Sequence, residues 1–139
     1  MASAPIFATL SLRRIADIVD RFEEQNYRAG SRIVLEGRTG SDFFLILDGE
    51  ATVTFERWPV PHLTRGDAFG EVGVLGDGSR IASVTALTPL RCLVLANGEL
   101  EQLIRDEPQL GINLLRSLIT RFHALNGAWP AWRGAPIPL

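Results

Sequence analysis

The sequence from residue 66 to residue 82 reads GDAFGEVGVLGDGSRIA. Four glycines fall within the nine residues 70–78, so the backbone of this stretch can come very close to a ligand. Bare amide groups in such a loop form a nest that binds anions. Arg80 adds a planar, always-charged fork at the end of the loop. Together these features favour a phosphate group as the ligand.

Glu71 lies in the same loop, although a carboxylate repels a phosphate. Its position is explained if the ligand carries a sugar hydroxyl beside its phosphate. Glu71 then accepts a hydrogen bond from the hydroxyl while Arg80 binds the charge, as a ribose phosphate would require. The residues alone leave open a structural ion pair between Glu71 and Arg80. Asp77-Gly78 is compatible with a simple hairpin turn in either case.

The composition of the chain fits one folded domain without lysine chemistry. Of the 139 residues, 46% are apolar and 22% are charged, a balance that supports a buried core and argues against disorder. All 14 cationic side chains are arginines, which excludes a Walker-type phosphate loop and a Schiff-base lysine. The formal net charge is -2 and no basic stripe stands out, so we expect no direct nucleic-acid binding.

Few residues are suited to metal or thiol chemistry. The single cysteine, Cys92, lies in an apolar run, where we expect a buried core residue. His62 and His123 form no metal-binding pattern, so we expect no metal, no cofactor and no cupin-like metal enzyme. No nucleophile and base are paired in the sequence, and we expect no catalysis. Without a run of roughly 20 apolar residues or a signal-like start at 1–5, we expect a cytoplasmic protein.

The apolar pattern divides the chain into a helix, a β-rich region and further helices. Residues 11–24 are predicted to be a helix with Ser11 as its N-cap, because apolar residues recur there at spacings of three and four (Leu12, Ile15, Val19, Phe22). Residues 27–95 contain short apolar runs separated by glycine turns, a pattern typical of a small antiparallel barrel or double-sheet roll. These runs cover residues 32–35, 43–47, 51–55, 81–86 and 90–95.

Helical character returns in residues 97–126. Asn97 is predicted to cap a short helix, and Pro108 to open a longer one that stops at Asn126-Gly127. Residues 1–126 are therefore predicted to form one domain, and residues 127–139 an irregular tail.

Several motifs occur together in a specific order. Five short motifs follow one another along most of the chain. They are a pattern similar to LF-x-x-L at 6–10, a y-x-x-G-x-x-I pattern at 27–33, Gly37 followed by 43–49, G-D-x-F-G-E at 66–71 and R-x-A at 80–82. In this the chain resembles the cyclic-nucleotide-binding domain family, which includes cAMP receptor transcription factors, regulatory subunits of protein kinase A and cyclic-nucleotide-gated channels. The resemblance implies a mainly β fold, an eight-stranded antiparallel β-roll of the jelly-roll type with flanking helices.

The resemblance also implies a ligand and a set of contacts. Arg80 would bind the cyclic phosphate and Glu71 the ribose 2′-hydroxyl, inside the family's phosphate-binding cassette. Ile81 stands where many cGMP-binding members have threonine, which favours cAMP and leaves cGMP as the alternative. Residues 56–62 are shorter and richer in proline than the usual hairpin, a departure that bears on strand pairing there. The remaining expected contacts are Gly70, Val72, Gly73 and Ala82 around the cassette, and Val74, Val84, Trp129 and Trp132 towards the base.

The predicted function is a non-catalytic regulatory domain that binds a cyclic mononucleotide. Binding would be transmitted through the helix that begins at Pro108, where Leu114, Leu115 and Leu118 are expected to pack on the roll. Trp129 or Trp132 would serve as a lid on the purine, or the tail would simply pack on the surface. The expected partner is an effector domain of the same or another chain. Membrane association is expected only if the domain belongs to a channel or transporter. The alternative is a non-binding β-roll acting as a protein- or membrane-associated interaction module.

Overall fold

The computed structural model describes residues 4–34, 42–55, 58–70, 83–96 and 99–128. A single 3-10 turn, Pro5–Phe7, precedes the first helix of this described part. The helices are α1 (Leu12–Val19), α2 (Glu99–Asp106) and α3 (Pro108–Ala128). The strands are β1 (Glu23–Tyr27), β2 (Arg32–Val34), β3 (Phe43–Asp48), β4 (Ala51–Phe55), β5 (Trp58–Leu63), β6 (Ala68–Phe69), β7 (Ser83–Ala86) and β8 (Leu90–Leu95).

The strands form two antiparallel sheets of four strands each. The first sheet has the order β1-β8-β3-β6 and the second has the order β2-β7-β4-β5. Neighbours within each sheet are mostly distant in sequence, as in a roll whose chain passes from one sheet to the other. The predicted mainly β fold with helices at both ends is confirmed.

Two hydrophobic cores lie on opposite faces of the first sheet. The core between the two sheets, here called the roll interior, consists of Phe44, Ile46, Ala51, Leu63, Phe69, Val84, Ala86, Leu90 and Cys92. The other, the helical-side core, joins the first sheet to the 3-10 turn and the three helices. Its members are Ala4, Ile6, Phe7, Ile15, Ile18, Phe22, Phe43, Leu45, Ala68, Leu93, Leu95, Leu100, Leu103, Leu110 and Leu114.

The first helix is shorter than the sequence predicts. The Ser11 hydroxyl accepts a hydrogen bond from the Arg14 backbone N–H at 3.2 Å, which confirms the N-cap. However, α1 ends at Val19, and β1 occupies part of the predicted helix 11–24. Leu12 is 74% exposed, so the predicted apolar face was wrong at its first member, and Ile18 is buried instead.

Strands β1 and β5 carried no usable sequence signal. Four of the five β1 residues are exposed, so no apolar alternation marks the strand; its backbone pairing with β8 holds it in place. β5 contains Pro59 and Pro61, which weaken a strand prediction. It nevertheless pairs with β4, and it lies at the edge of the second sheet, where proline is tolerated.

The C-terminal helices follow the sequence prediction in part. α3 begins at Pro108 as predicted, but it continues to Ala128, past the predicted stop at Asn126-Gly127. Leu114 is buried in the helical-side core, whereas Leu115 is exposed, so the prediction that Leu115 packs on the roll was wrong. Asn97 lies outside the described residues. No helix in the described ranges is both long and apolar enough to cross a membrane.

Asn113 ties α3 to the N-terminal turn. This buried amide donates hydrogen bonds from Nδ2 to the carbonyl oxygens of Ile6, at 3.0 Å, and Ala8, at 2.6 Å. Its Oδ1 accepts a hydrogen bond from Gln109 Nε2 at 3.0 Å. Because its amide is partnered on both sides, Asn113 can be buried without an unsatisfied polar group.

Two ion pairs hold the junction of α2 and α3 against α1 and the residues that directly follow it. Arg21 Nη1 lies 2.9 Å from Asp106 Oδ2, and Arg14 pairs with Glu107. The hydrogen bond from Arg21, with a second one from Gln102, holds the pKa of the Asp106 carboxyl below its ordinary value. Exposed pairs of this kind contribute little stability each, but they fix the position of the junction.

A first prediction concerns the turn between β3 and β4. Gly49 has φ +100°, and a Cβ there would collide with the backbone carbonyl oxygen of Pro89. Gly30 has a similar φ of +86°, but nothing lies within 4 Å of the place where its Cβ would be. Gly30→Ala should therefore lose about 1–2 kcal/mol of unfolding free energy from backbone strain alone. Gly49→Ala should lose more, since a rigid backbone atom must also move. Urea denaturation measures both, and equal losses would contradict the close contact.

A second prediction concerns the buried thiol. Burial raises the pKa of Cys92 from 9.0 to about 12. The folded state thus keeps this proton at pH values where the unfolded chain loses it. The contribution of the protonated Cys92 thiol to the free energy of unfolding is therefore complete below pH 9. It is lost as the pH rises towards 12, by at most about 1.4 kcal/mol per pH unit. Urea denaturation between pH 8 and pH 10.5 should show a steeper loss for the wild type than for Cys92→Ala. Parallel curves would show that the thiol titrates normally in the folded chain.

Candidate functional site

Most of the residues expected to contact the ligand lie outside the described part of the chain. These are Glu71, Val72, Gly73, Val74, Arg80, Ile81, Ala82, Trp129 and Trp132. Gly70 and Val84 are described, and they lie on either side of the segment 71–82. The structure therefore describes the parts of the chain on either side of that segment, which are β6 with Gly70 before it and β7 after it. We call these two parts the supports.

A turn with two interlocked hydrogen bonds leads into the segment. The Thr64 backbone N–H donates to Asp67 Oδ2 at 2.8 Å, and the Asp67 N–H donates back to the Thr64 carbonyl at 3.0 Å. Gly66 and Asp67 also exchange backbone hydrogen bonds with Ile46 of β3, each 2.9 Å long. Asp67 is thus a structural residue of the G-D-x-F-G-E motif, a role that the sequence analysis missed although its Gly-Asp pair is a common turn signal.

An aromatic pair anchors the strand that follows the turn. The rings of Phe69 in β6 and Phe44 in β3 are stacked, with centroids 4.6 Å apart and planes inclined by 6°. Both rings are buried in the roll interior. The chain then leaves β6 through Gly70, whose φ of +96° lies in the region that favours glycine. The start of the glycine-rich segment is fixed in place by this packing.

The far end of the segment enters a central strand of the other sheet. β7 lies between β2 and β4, and Val84 is paired across the sheet with Val53 and Val34. The Val84 side chain is buried in the roll interior, in the same cluster as Phe69. Segment 71–82 therefore begins next to one sheet and ends in the other, with both ends at the shared apolar core. Contact between Val84 and a base remains a prediction.

The roll interior is apolar and disfavours the charged form of side chains that lie against it. Burial is the first cause of the raised pKa of Tyr27, followed by the nearby Cys92 and Asp42. The clustered side chains around it are otherwise aliphatic or aromatic. An anionic group placed against this surface needs a cation or backbone amides from elsewhere, because an unpaired charge is costly to bury. Within the described ranges, no three His, Cys, Asp or Glu side chains are grouped to hold a metal ion.

Comparison with known families identifies this arrangement. The family model for the cyclic nucleotide-binding domain matches residues 24–107, a range that includes both supports and the whole segment between them. The cAMP-dependent protein kinase regulatory subunit of Eremothecium gossypii is 38% identical over 105 residues, which are 75% of this chain and 23% of that protein. The cGMP-dependent protein kinase, isozyme 1, of Drosophila melanogaster is 35% identical over 114 residues, which are 76% of this chain and 15% of that protein.

A solved structure shows the same architecture. The catabolite activator protein of Thermus thermophilus superposes with a TM-score of 0.78 and 26% identity, over 86% of this chain and 58% of that chain. The chain spans less than a quarter of the length of either kinase relative. Fold, family match and motif order agree, and the chain belongs to the cyclic nucleotide-binding domain family.

Proposed function

We propose that this chain is a non-catalytic, cytoplasmic regulatory domain that binds cAMP in the segment 70–82. The observation that carries the proposal is the family match over residues 24–107, which contains the whole segment. The described supports fit this role, because Gly70 and β7 place the two ends of a glycine-rich loop beside one apolar core.

The division of labour within the site follows from its chemistry. The described supports supply packing but no cation, so the phosphate charge would be met by the guanidinium of Arg80 and by loop amides. Glu71 would accept a hydrogen bond from the ribose 2′-hydroxyl. The apolar side of the ligand would lie towards Val84 and the roll interior. The further contacts in this proposal are Gly70, Val72, Gly73, Ile81 and Ala82.

The choice between cAMP and cGMP rests on one side chain. The two kinase relatives differ in nucleotide but have nearly the same identity to this chain, at 38% and 35%. Overall similarity therefore does not discriminate between them. Ile81 has no hydroxyl with which to bond a guanine, and this favours cAMP.

The prediction for the phosphate contact uses isothermal titration calorimetry with cAMP and cGMP. A hydrogen bond to a charged group contributes about 1.5–3 kcal/mol, so Arg80→Ala should weaken cAMP binding by about 10- to 150-fold. Arg80→Lys should recover only part of the loss, because a point charge does not replace the fork. Arg13→Ala, which removes an exposed arginine from α1, is the matched control and should bind like the wild type.

The titration has two informative failures. If the wild type binds neither nucleotide, the regulatory proposal is wrong and the interaction-module alternative is favoured. If it binds but Arg80→Ala binds equally well, the function stands and the assigned phosphate contact is wrong.

The proposal includes transmission of binding through α3 to an effector domain of the same or another chain. Two contacts support this proposal. α3 packs on the helical-side core through Leu110 and Leu114, and the same core contains a residue of β6, the strand that directly precedes segment 70–82. Ala68 of β6 lies in the helical-side core, while Phe69, its neighbour, lies in the roll interior. A change at Gly70 is therefore two residues from a direct contact with the helical layer.

Hydrogen exchange measures this transmission. Adding cAMP should change the protection of amides in α3 as well as in segment 70–82, while β1, at the edge of the first sheet opposite β6, should change less. If segment 70–82 alone becomes protected, the chain binds the nucleotide but does not transmit binding through α3. Arg80→Ala, at concentrations where it does not bind cAMP, provides the reference without ligand.

A further inference from the structure

Thr9 has a backbone conformation that side chains rarely adopt. Its φ is +66°, and within the described ranges it is the only residue other than glycine with a positive φ. Threonine is branched at Cβ, which makes this left-handed region especially unfavourable for it. Such strain persists only where the surrounding structure fixes the backbone on both sides. The strain at Thr9 is therefore balanced by contacts that its neighbours make.

The residues before Thr9 are attached to α3. The amide Nδ2 of Asn113 donates hydrogen bonds to the carbonyl oxygens of Ala8, at 2.6 Å, and Ile6, at 3.0 Å. Gln109 Nε2 donates to Oδ1 of Asn113 at 3.0 Å and so fixes the orientation of that amide. The backbone before Thr9 cannot relax while these bonds are intact.

The residues after Thr9 are held as well. The Leu10 backbone N–H donates to the carbonyl oxygen of Phe7 at 3.1 Å, and the Leu10 side chain packs against the helical-side core. Ser11 then caps α1 through its hydroxyl. Thr9 thus connects two fixed pieces of chain, and its left-handed backbone is the conformation that joins them.

The segment before Thr9 also touches the turn that leads to the proposed binding segment. A Cβ added to Gly66 would lie 3.6 Å from the Cα of Ala4 and 3.9 Å from the Cδ of Pro5. These are ordinary contact distances, so both residues lie directly against the turn before β6. We call residues 4–10 the N-terminal arm. The arm connects the Gly66 turn with α3.

We propose that the N-terminal arm is a conformational switch with a docked and an undocked state, and that the strain at Thr9 favours undocking. Burial of Ile6 and Phe7 in the helical-side core holds the arm in the docked state. Undocking lets Thr9 return to an ordinary backbone conformation. Water then reaches the freed carbonyls and the Asn113 amide, so no polar group stays buried without a partner.

Undocking would release two parts of the molecule at once, because the arm contacts both the turn before β6 and α3. The switch concerns the folded chain without nucleotide. It can therefore hold or fail separately from the proposed function.

The test is native-state hydrogen exchange without cAMP, at several urea concentrations below the unfolding transition. The reporters are the amides of Phe7, Ala8 and Leu10, each of which donates a hydrogen bond within the arm. The reference is the set of amides in β8, an inner strand of the first sheet. The arm amides should have lower protection factors than the β8 amides and depend less steeply on urea, because a local opening exposes less surface than global unfolding.

Substitutions at Thr9 test whether strain sets the population of the undocked state. Asparagine adopts the left-handed conformation more readily, so Thr9→Asn should raise the protection factors of the arm amides by about 5- to 30-fold. Thr9→Val keeps the branching at Cβ and hence the strain, and this matched control should leave them unchanged. The Thr9 side chain is exposed, so neither change disturbs the core.

A variant in α3 tests the other side of the contact. Gln109→Ala removes the hydrogen bond that orients Asn113, so it should lower the protection factors of the arm amides by about 2- to 12-fold. It leaves the buried amide of Asn113 in place, which makes it milder than a substitution of Asn113 itself.

Three outcomes overturn the proposal. Arm amides with the same protection and the same urea dependence as the β8 amides show that the arm opens only when the whole chain unfolds. Protection that Thr9→Asn leaves unchanged, or that Thr9→Val raises equally, shows that backbone strain does not drive undocking. Protection that Gln109→Ala leaves unchanged shows that Asn113 does not hold the arm.

Discussion

Burial of the first sheet on both faces is the constraint on which the rest of the structure depends. Its strands β3, β6 and β8 send alternate side chains into two separate cores. In β3, Phe43 and Leu45 enter the helical-side core, while Phe44 and Ile46 enter the roll interior. A shift of β3 by one residue would exchange the two sets and disrupt both cores at once. The register of this sheet is therefore fixed from two sides, unlike that of a sheet with one solvated face.

The site segment is attached to the part of the molecule that this constraint fixes most firmly. Phe69 stacks on Phe44 in one core, and the adjacent Ala68 is buried in the other. The backbone pairs of Ile46 with Gly66 and Asp67 hold the same strand from its other end. The glycine-rich segment thus starts from a firmly packed support that ends at Gly70.

The sequence predicts those elements whose apolar pattern is caused by burial of their side chains, and it misses those that backbone pairing holds in place. The runs at Phe43 and Leu90 are apolar because both faces of their sheet are buried, so they are visible in the sequence. β1 has no apolar signal because backbone pairing with β8 holds it, and its side chains face water. Leu12 fits the helical spacing of its neighbours, yet helical spacing cannot tell which faces the tertiary structure will cover. For the site, residue types indicated a phosphate and a sugar hydroxyl, whereas the identification of a cyclic nucleotide needed the order of the motifs.

The attachment of α3 has a consequence for any signal that leaves the domain. Asn113 is hydrogen-bonded to the carbonyls of Ile6 and Ala8, and the junction before α3 is paired with Arg14 of α1 and with Arg21, which follows α1. If α3 moved alone, the buried carbonyl of Ile6 would lose its partner, at a cost of about 1–3 kcal/mol, and the part-buried hydrogen bond to the Ala8 carbonyl would also break. Movement together with the 3-10 turn and α1 keeps all of these bonds. A shift of the whole helical layer over the first sheet also keeps these bonds, because it only exchanges apolar contacts for other apolar contacts. The N-terminal segment is therefore mechanically coupled to α3, although it lies far from that helix in the sequence.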